Sequence, residues 1–315
     1  MAGTITHAYF AIDVFNGLNK EKKVIIEPYL NNLKTFAQGH DIYNFTKPNN
    51  SHYFHTHDTN MFFINMINYI KDNHLYEDGE ILSFLYGYIC HYVLDKNIHP
   101  YVIYKSGRYF KKKKKETAKY RCKHAEVETY LDCYMIKNRN NIEPGKFNTK
   151  RFCLSPSKFS SRLKDLMDYT FDKTYNYKNA SKNYYKAVKN MGFLYNLLRK
   201  DRFKIKKRIY NTVDKILPDY FYKYSPISYA LTKEYKQYLN NERKTWNHPA
   251  DVNEKYDSSF NDIYEDSVKE TIKIINAVDN YFNNKKVDLN KIFDNTSFIT
   301  GKNCNVHTKM IYFEY

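Results

Sequence analysis

The chain has 315 residues, 42% of them hydrophobic, which is enough for one sizeable core or at most two domains. Only 9 Gly and 8 Pro occur beside 33 Tyr and 21 Phe, so turn formers are too few for a many-stranded sheet and long helices are favoured. The formal net charge of +17 suits phosphates and anionic headgroups as partners, although Lys, Asn and Tyr are in excess together, as a general compositional bias would also make them.

The first helix starts near Thr4–Thr6, where a hydroxyl can cap it, and runs to about Phe15. A second follows from Lys20 to Ala37, ended by Gly39, and 40–57 reads as loop with turn chemistry at Asn-Phe-Thr-Lys-Pro-Asn-Asn-Ser. A third spans Thr59–Asn73. The fourth opens at Asp78-Gly79 and is apolar nearly all round, from Ile81 through Leu94, which marks a helix buried at the centre of a bundle. Pro100 stops this helix or kinks the chain beyond it. Lys111–Lys115 sit in a loop or a frayed helix start before a fifth helix over 119–137. After a polar connection over 138–156, helices cover 157–175, 181–198 and 202–216. Phe260, Ile263, Tyr264, Val268, Ile272, Ile275, Val278 and Phe282 recur at three- and four-residue steps behind the capping sequence Asp257-Ser258-Ser259. The tail from Asn283 is polar, with weak strand character at Met310–Phe313. No internal repeat is present. The expected organisation is a helical domain over 1–285 and a tail over 286–315.

Chemistry concentrates in the fourth and fifth helices. His91, Asp95 and His99 are four apart, so each lies about 40° round from the last and all three share one helical wall. His124 and Glu128 repeat the step. A single buried His is usually structural. Two such pairs plus His99, with Asp95 in an otherwise apolar helix that makes an unpartnered carboxylate costly, point to a metal such as zinc.

The ordered motifs resemble the zinc-dependent phospholipase C family, a relative of the secreted zinc single-strand nucleases. They are Thr6-His7, Gly39-His40-Asp41-Ile42, Phe54-His55-Thr56-His57-Asp58-Thr59, Cys90-His-Tyr-Val-Leu-Asp95, His99-Pro-Tyr101, Lys123-His-Ala-Glu-Val-Glu128 with Asp132, and Trp246-Asn-His-Pro249. The likeness is spread over about residues 4–285. It implies an all-α multi-helix bundle around a buried cluster of up to three zinc ions. One zinc would take Asp41, His55 and His91. A second would take His7 and the amino group of Ala2, exposed once Met1 is removed. Asp95 would bridge these two, and a third zinc would take His99, His124 and Glu128. The second-loop ligand is one of His52, His55 and His57; His55 fits the family's local pattern best, while His40 and His57 read as structural or solvated. Asp41 could both bind metal and take a proton. Secreted members place the next His six positions after the bridging Asp, whereas here the step from Asp95 to His99 is four.

The implied activity is phospholipase C-like hydrolysis of a glycerophospholipid, with a phospholipid or anionic membrane surface as partner and no obligate protein partner. A nuclease or other phosphodiesterase is the alternative, since Tyr104, Tyr109, Phe110 and Tyr120 interleave with the basic loop and would suit single-stranded nucleic acid. A non-catalytic, zinc-stabilised membrane-associated protein is a third reading. Five Cys without a CxxC pair and an N-terminus without a secretory signal fit a cytoplasmic protein, peripheral at the inner membrane face.

Overall fold

A computed structural model of the chain describes residues 3–109, 114–218, 221, 223–230 and 236–314. The architecture is all-α. The described helices are α1 (Thr4–Gly17), α2 (Lys20–Ile26), α3 (Leu30–Phe36), α4 (Pro48–Phe54), α5 (Thr59–Asp72), α6 (Gly79–Ser106), α7 (Lys114–Asn140), α8 (Thr149–Cys153), α9 (Ser161–Tyr175), α10 (Ala180–Leu198), α11 (Ile205–Ile216), α12 (Phe260–Phe282) and α13 (Leu289–Ile292). One antiparallel hairpin, β1 (Trp246–His248) with β2 (Asp251–Tyr256), accompanies them. Among the described residues no helix is long and apolar enough to cross a membrane.

The bundle is organised around α6, which packs against α12, α3, α7 and α1. Asp78 caps it, its carboxylate accepting from the Glu80 and Ile81 backbone N–H groups. Ile81, Leu82, Phe84, Leu85, Tyr88, Ile89, Val93 and Leu94 are fully buried, each contributing about 1.5–3 kcal/mol on leaving water. Tyrosine serves this core because its hydroxyl finds a partner: Tyr86 donates to Asp279 at 2.7 Å and Tyr92 to Asp294 at 3.0 Å.

Pro100 does not stop α6, which continues to Ser106. Proline in a helix interior frees the carbonyl four residues back and costs about 3 kcal/mol. Burial of Ile98, Tyr101 and Val102 around it offsets that cost. The freed Lys96 carbonyl lies against Gly301, where a Cβ would come within 2.7 Å, and Gly301 holds φ +63.

Other boundaries differ from the sequence expectation for local reasons. Pro28 divides the second helix into α2, a short 3-10 turn over Glu27–Tyr29, and α3. The stretch 40–57 is not loop: a 3-10 segment covers Gly39–Phe45, and Pro48 at the first helical turn starts α4. The connection 138–156 contains α8, capped by Asn148. Helix α7 extends beyond both ends of its expected range, with Lys114 and Lys115 inside it, while Phe110 and Lys111–Lys113 lie outside the described residues. The hairpin β1–β2 was not expected, and 310–313 forms no strand. The tail is anchored in the core instead: Phe293, Phe298 and Met310 are fully buried.

Candidate metal centre

No threonine hydroxyl caps α1. Gly3 is its N-cap residue, and no side chain of the cap accepts a hydrogen bond. The helix start is satisfied from α7, where buried Asp132 accepts from Thr6 N at 2.9 Å and Thr6 Oγ1 at 3.0 Å through one oxygen. Its other oxygen accepts from Tyr229 at 2.6 Å. This tie brings His7, one residue on, against α6. His7 Nε2 lies 3.2 Å from Asp95 Oδ1.

The 3-10 segment after α3 delivers Asp41. Gly39 precedes it with φ +47, and a Cβ there would come within 1.9 Å of the His91 ring, so only glycine lets the chain pass this close. The C-terminus of α4 delivers His55, whose Nε2 lies 3.1 Å from Asp41 Oδ1, 3.2 Å from His91 Nε2 and 3.8 Å from Asp95 Oδ2. Of the three second-loop histidines, only His55 is buried. His57 stacks on Tyr53 at 4.1 Å, outside the cluster, and His52 is exposed.

A second group forms where α6 meets α7. His124 Nε2 lies 2.9 Å from Glu128 Oε1, and the His99 and His124 rings stack at 6.1 Å between centroids. The groups are contiguous, because His99 Nδ1 lies 3.8 Å from Asp95 Oδ2. The four-residue step from Asp95 to His99 serves both groups because α6 stays helical through Pro100. Ligand atoms of His7, Asp41, His91 and Asp95 lie within 4.8 Å of one another, as do those of His99, His124 and Glu128; either group could hold a metal ion. Ala2 lies outside the described residues.

The donor set fits zinc. His7 Nε2, Asp41 Oδ1 and His91 Nδ1 are buried with no hydrogen-bond partner despite their close neighbours, an arrangement that is costly in a bare core and natural around a cation. Three histidines are also oriented from behind. His55 Nδ1 donates to the Ser51 carbonyl at 2.6 Å and His99 Nδ1 to the Phe298 carbonyl at 2.6 Å, while His124 Nδ1 meets Ser106 Oγ at 3.2 Å. Such outer partners fix the ring and leave Nε2 as the ligand atom.

Charge follows the same logic. Burial would raise the Asp95 carboxyl, but His91 and His7 outweigh it and hold it well below the usual carboxylate range. Glu128 is likewise held below the ordinary carboxylate range against the effect of burial, with His124 Nε2 2.9 Å from its Oε1. Both are therefore anionic at neutral pH. Burial pushes the Asp41 carboxyl up and the His91 imidazole well down.

Phe298 is the residue that sequence reasoning missed. Its N–H donates to the His55 carbonyl at 3.0 Å, its carbonyl holds His99, and its ring lies 5.6 Å from that of His91. Its only sequence signal is an isolated aromatic in a polar tail. His40 is fully buried among aromatic rings, 5.6 Å from that of Phe298. His248, of the Trp-Asn-His-Pro segment, has both nitrogens engaged by backbone: Nε2 with the Thr300 carbonyl at 2.9 Å, and Nδ1 accepting from Ala250 N at 3.0 Å.

A cavity of about 320 Å³ opens onto His55, His99 and His124. A helical bundle that brings together two adjoining groups of imidazoles and carboxylates, each able to hold a metal ion, defines an all-α metal-binding class of protein. The family described as zinc dependent phospholipase C matches residues 5–192, more than half of the 315, and the chain belongs to that family. No curated protein and no solved structure matches it. The match ends before Trp246, where His248 is engaged structurally.

Proposed function

We propose that this chain is a zinc-dependent phosphodiester hydrolase that cleaves the glycerol–phosphate bond of a glycerophospholipid. The observation that carries the reading is a pair of adjoining imidazole–carboxylate groups, beside which His55, His99 and His124 open onto a cavity, in a chain of this family. In this reading Asp41, His55 and His91 hold one zinc, and His7 with the Ala2 amino group holds a second. Asp95 adjoins both groups, and His99, His124 and Glu128 would hold a third. Zinc bound there supplies Lewis acidity toward phosphoryl oxygens and lowers the pKa of water toward neutrality.

The chain's own residues do the remaining work. Asp95 and Glu128 supply negative charge that retains cations. Asp41, whose affinity for a proton burial increases, accepts the proton that the attacking water loses. The buried aromatic wall around His91 and Phe298 limits competing water. The reading includes a cytoplasmic enzyme acting at an anionic inner membrane face, which five free thiols and the +17 charge support.

The test is parallel hydrolysis of phosphatidylcholine, an anionic phospholipid and single-stranded DNA by zinc-loaded and chelated protein. Zinc-dependent release of diacylglycerol is expected. Cleavage of DNA alone would replace the lipase with a nuclease.

A further inference from the structure

The cavity that opens onto His99 and His124 has a mouth of distinct chemistry. Gly107 ends α6, and the next two residues, Arg108 and Tyr109, line the mouth half-buried. Tyr120 and Arg121 of α7 line the facing side. Positive charge is common in this chain, so a basic rim alone would mean little. Only nine of the 51 basic residues are Arg, however, and two of these nine meet at this one cavity. Guanidinium differs from ammonium in kind, because its planar fork binds carboxylate or phosphate oxygens in pairs. No Asp or Glu occurs among the described residues that line the mouth.

Tyrosines beside a phospholipid site raise the choice of a quaternary ammonium, which aromatic faces attract. Here those rings already hold cations of the chain. The Arg121 guanidinium lies over Tyr109 at 5.6 Å, and Lys119 Nζ lies over Tyr120 at 5.0 Å. Tyr120 also rests on Gly107, where a Cβ would come within 2.3 Å, so the ring is fixed against the turn. A choline group entering this mouth would meet two guanidiniums and find no described carboxylate lining it, so the Coulomb term runs against it.

We infer that Arg108 and Arg121 are specificity-determining residues that select a phospholipid whose headgroup carries its own oxyanion, phosphate or carboxylate, and reject choline. The inference rests on the hydrolase reading above for the reaction, but the selection itself is a binding property. The headgroup, which stays on the attacked phosphorus while diacylglycerol departs, would lie between the two guanidiniums, next to the His99–His124–Glu128 group.

The experiment uses the zinc-loaded full chain, its Arg108→Gln and Arg121→Gln variants, and Arg151→Gln as an exposed control with the same charge change elsewhere. Calorimetry measures binding of the soluble headgroups glycerophosphocholine, glycerophosphoserine and a glycerophosphoinositol phosphate. Hydrolysis of the matching short-chain lipids, kept monomeric, removes any contribution from vesicle surface charge. The oxyanion headgroups are expected to bind at least about tenfold more tightly than glycerophosphocholine. Each mouth variant should lose that preference and raise KM with kcat held, while Arg151→Gln keeps both. The serine and inositol phosphate arms tell carboxylate from phosphate. Equal headgroup binding, a choline preference, or an equal loss in Arg151→Gln would overturn the inference. Selective binding without hydrolysis of any lipid would uphold it and refute the hydrolase reading instead.

Discussion

Asp132 links the two halves of the candidate site without lying in it, and its removal has a calculable consequence. One of its oxygens accepts from Thr6 N and Thr6 Oγ1, and the other from the Tyr229 hydroxyl. In Asp132→Ala the Thr6 hydroxyl can rotate to another acceptor, but the Thr6 N–H and the Tyr229 O–H lose their acceptor, and Arg199, which donates to Tyr229, loses its carboxylate at 3.8 Å. At about 1–3 kcal/mol for each orphaned donor, the cost is about 2–6 kcal/mol. That is a large share of the roughly 5–15 kcal/mol that holds a domain folded. Asp132→Asn keeps the shape and an oxygen for Thr6 but gives up the ion pair with Arg199 at 3.8 Å, so it should cost less than Asp132→Ala, about 1–2 kcal/mol. Urea unfolding of the three proteins measures the difference. The Asp132→Ala protein should also bind less metal at the group that contains His7, because the start of α1 is no longer fixed, while the His99–His124–Glu128 group is retained. An Asp132→Ala protein within about 1 kcal/mol of wild type, or an Asn variant as damaged as the Ala one, would refute this account of how α1 is fastened.

Two further outcomes follow from the geometry. Gly39→Ala places a methyl where a Cβ would lie 1.9 Å from the His91 ring at a φ of +47, so it should displace His91 and Asp41 together; a loss of activity of at least about a hundredfold is expected in kinetic assays, and a variant of near-normal activity would contradict the close approach. His248 accepts from Ala250 N, which only a neutral imidazole can do, and burial lowers its pKa; folding therefore disfavours its protonation, and the stability it contributes is present above the ordinary value near 6.5 and lost as pH falls through the depressed one. Urea midpoints measured from about pH 8 to about pH 5 should fall less steeply in His248→Gln than in wild type, and identical slopes would exclude the residue as a source of acid sensitivity.

The sequence made α6 readable because its signal is redundant. A run from Ile81 to Leu94 that is apolar on every side has one destination, the centre of a bundle. The α12 boundary was readable for a local reason, since Ser259 and Asp262 form a reciprocal capping box. Where the outcome depended on tertiary packing, local rules gave the wrong end point. Pro100 breaks an isolated helix, but here burial around it and the fit of Gly301 outweigh the lost hydrogen bond. The cap of α1 comes from Asp132, 126 residues away, which no local motif can encode.

The candidate site divides in the same way. His91, Asp95, His124 and Glu128 are visible from four-residue spacing alone. His7, Asp41 and His55 come from three separate segments, and the order of family motifs, not any periodicity, brought them into view. Phe298 carried no signal because its contribution is mostly backbone: it receives the His99 Nδ1–H and donates to the His55 carbonyl, and a main-chain atom leaves no mark on residue identity.

The most direct test of the central claim is the metal content of the natively purified protein, measured by elemental mass spectrometry together with His91→Ala and His124→Ala. The account requires zinc in the wild-type protein at more than one ion per chain. His124→Ala should lose the ion at the His99–Glu128 group and keep the rest, and His91→Ala should show the opposite loss. A protein that binds no zinc, or one whose zinc content neither substitution lowers, would contradict the assignment of these two groups as the metal centre.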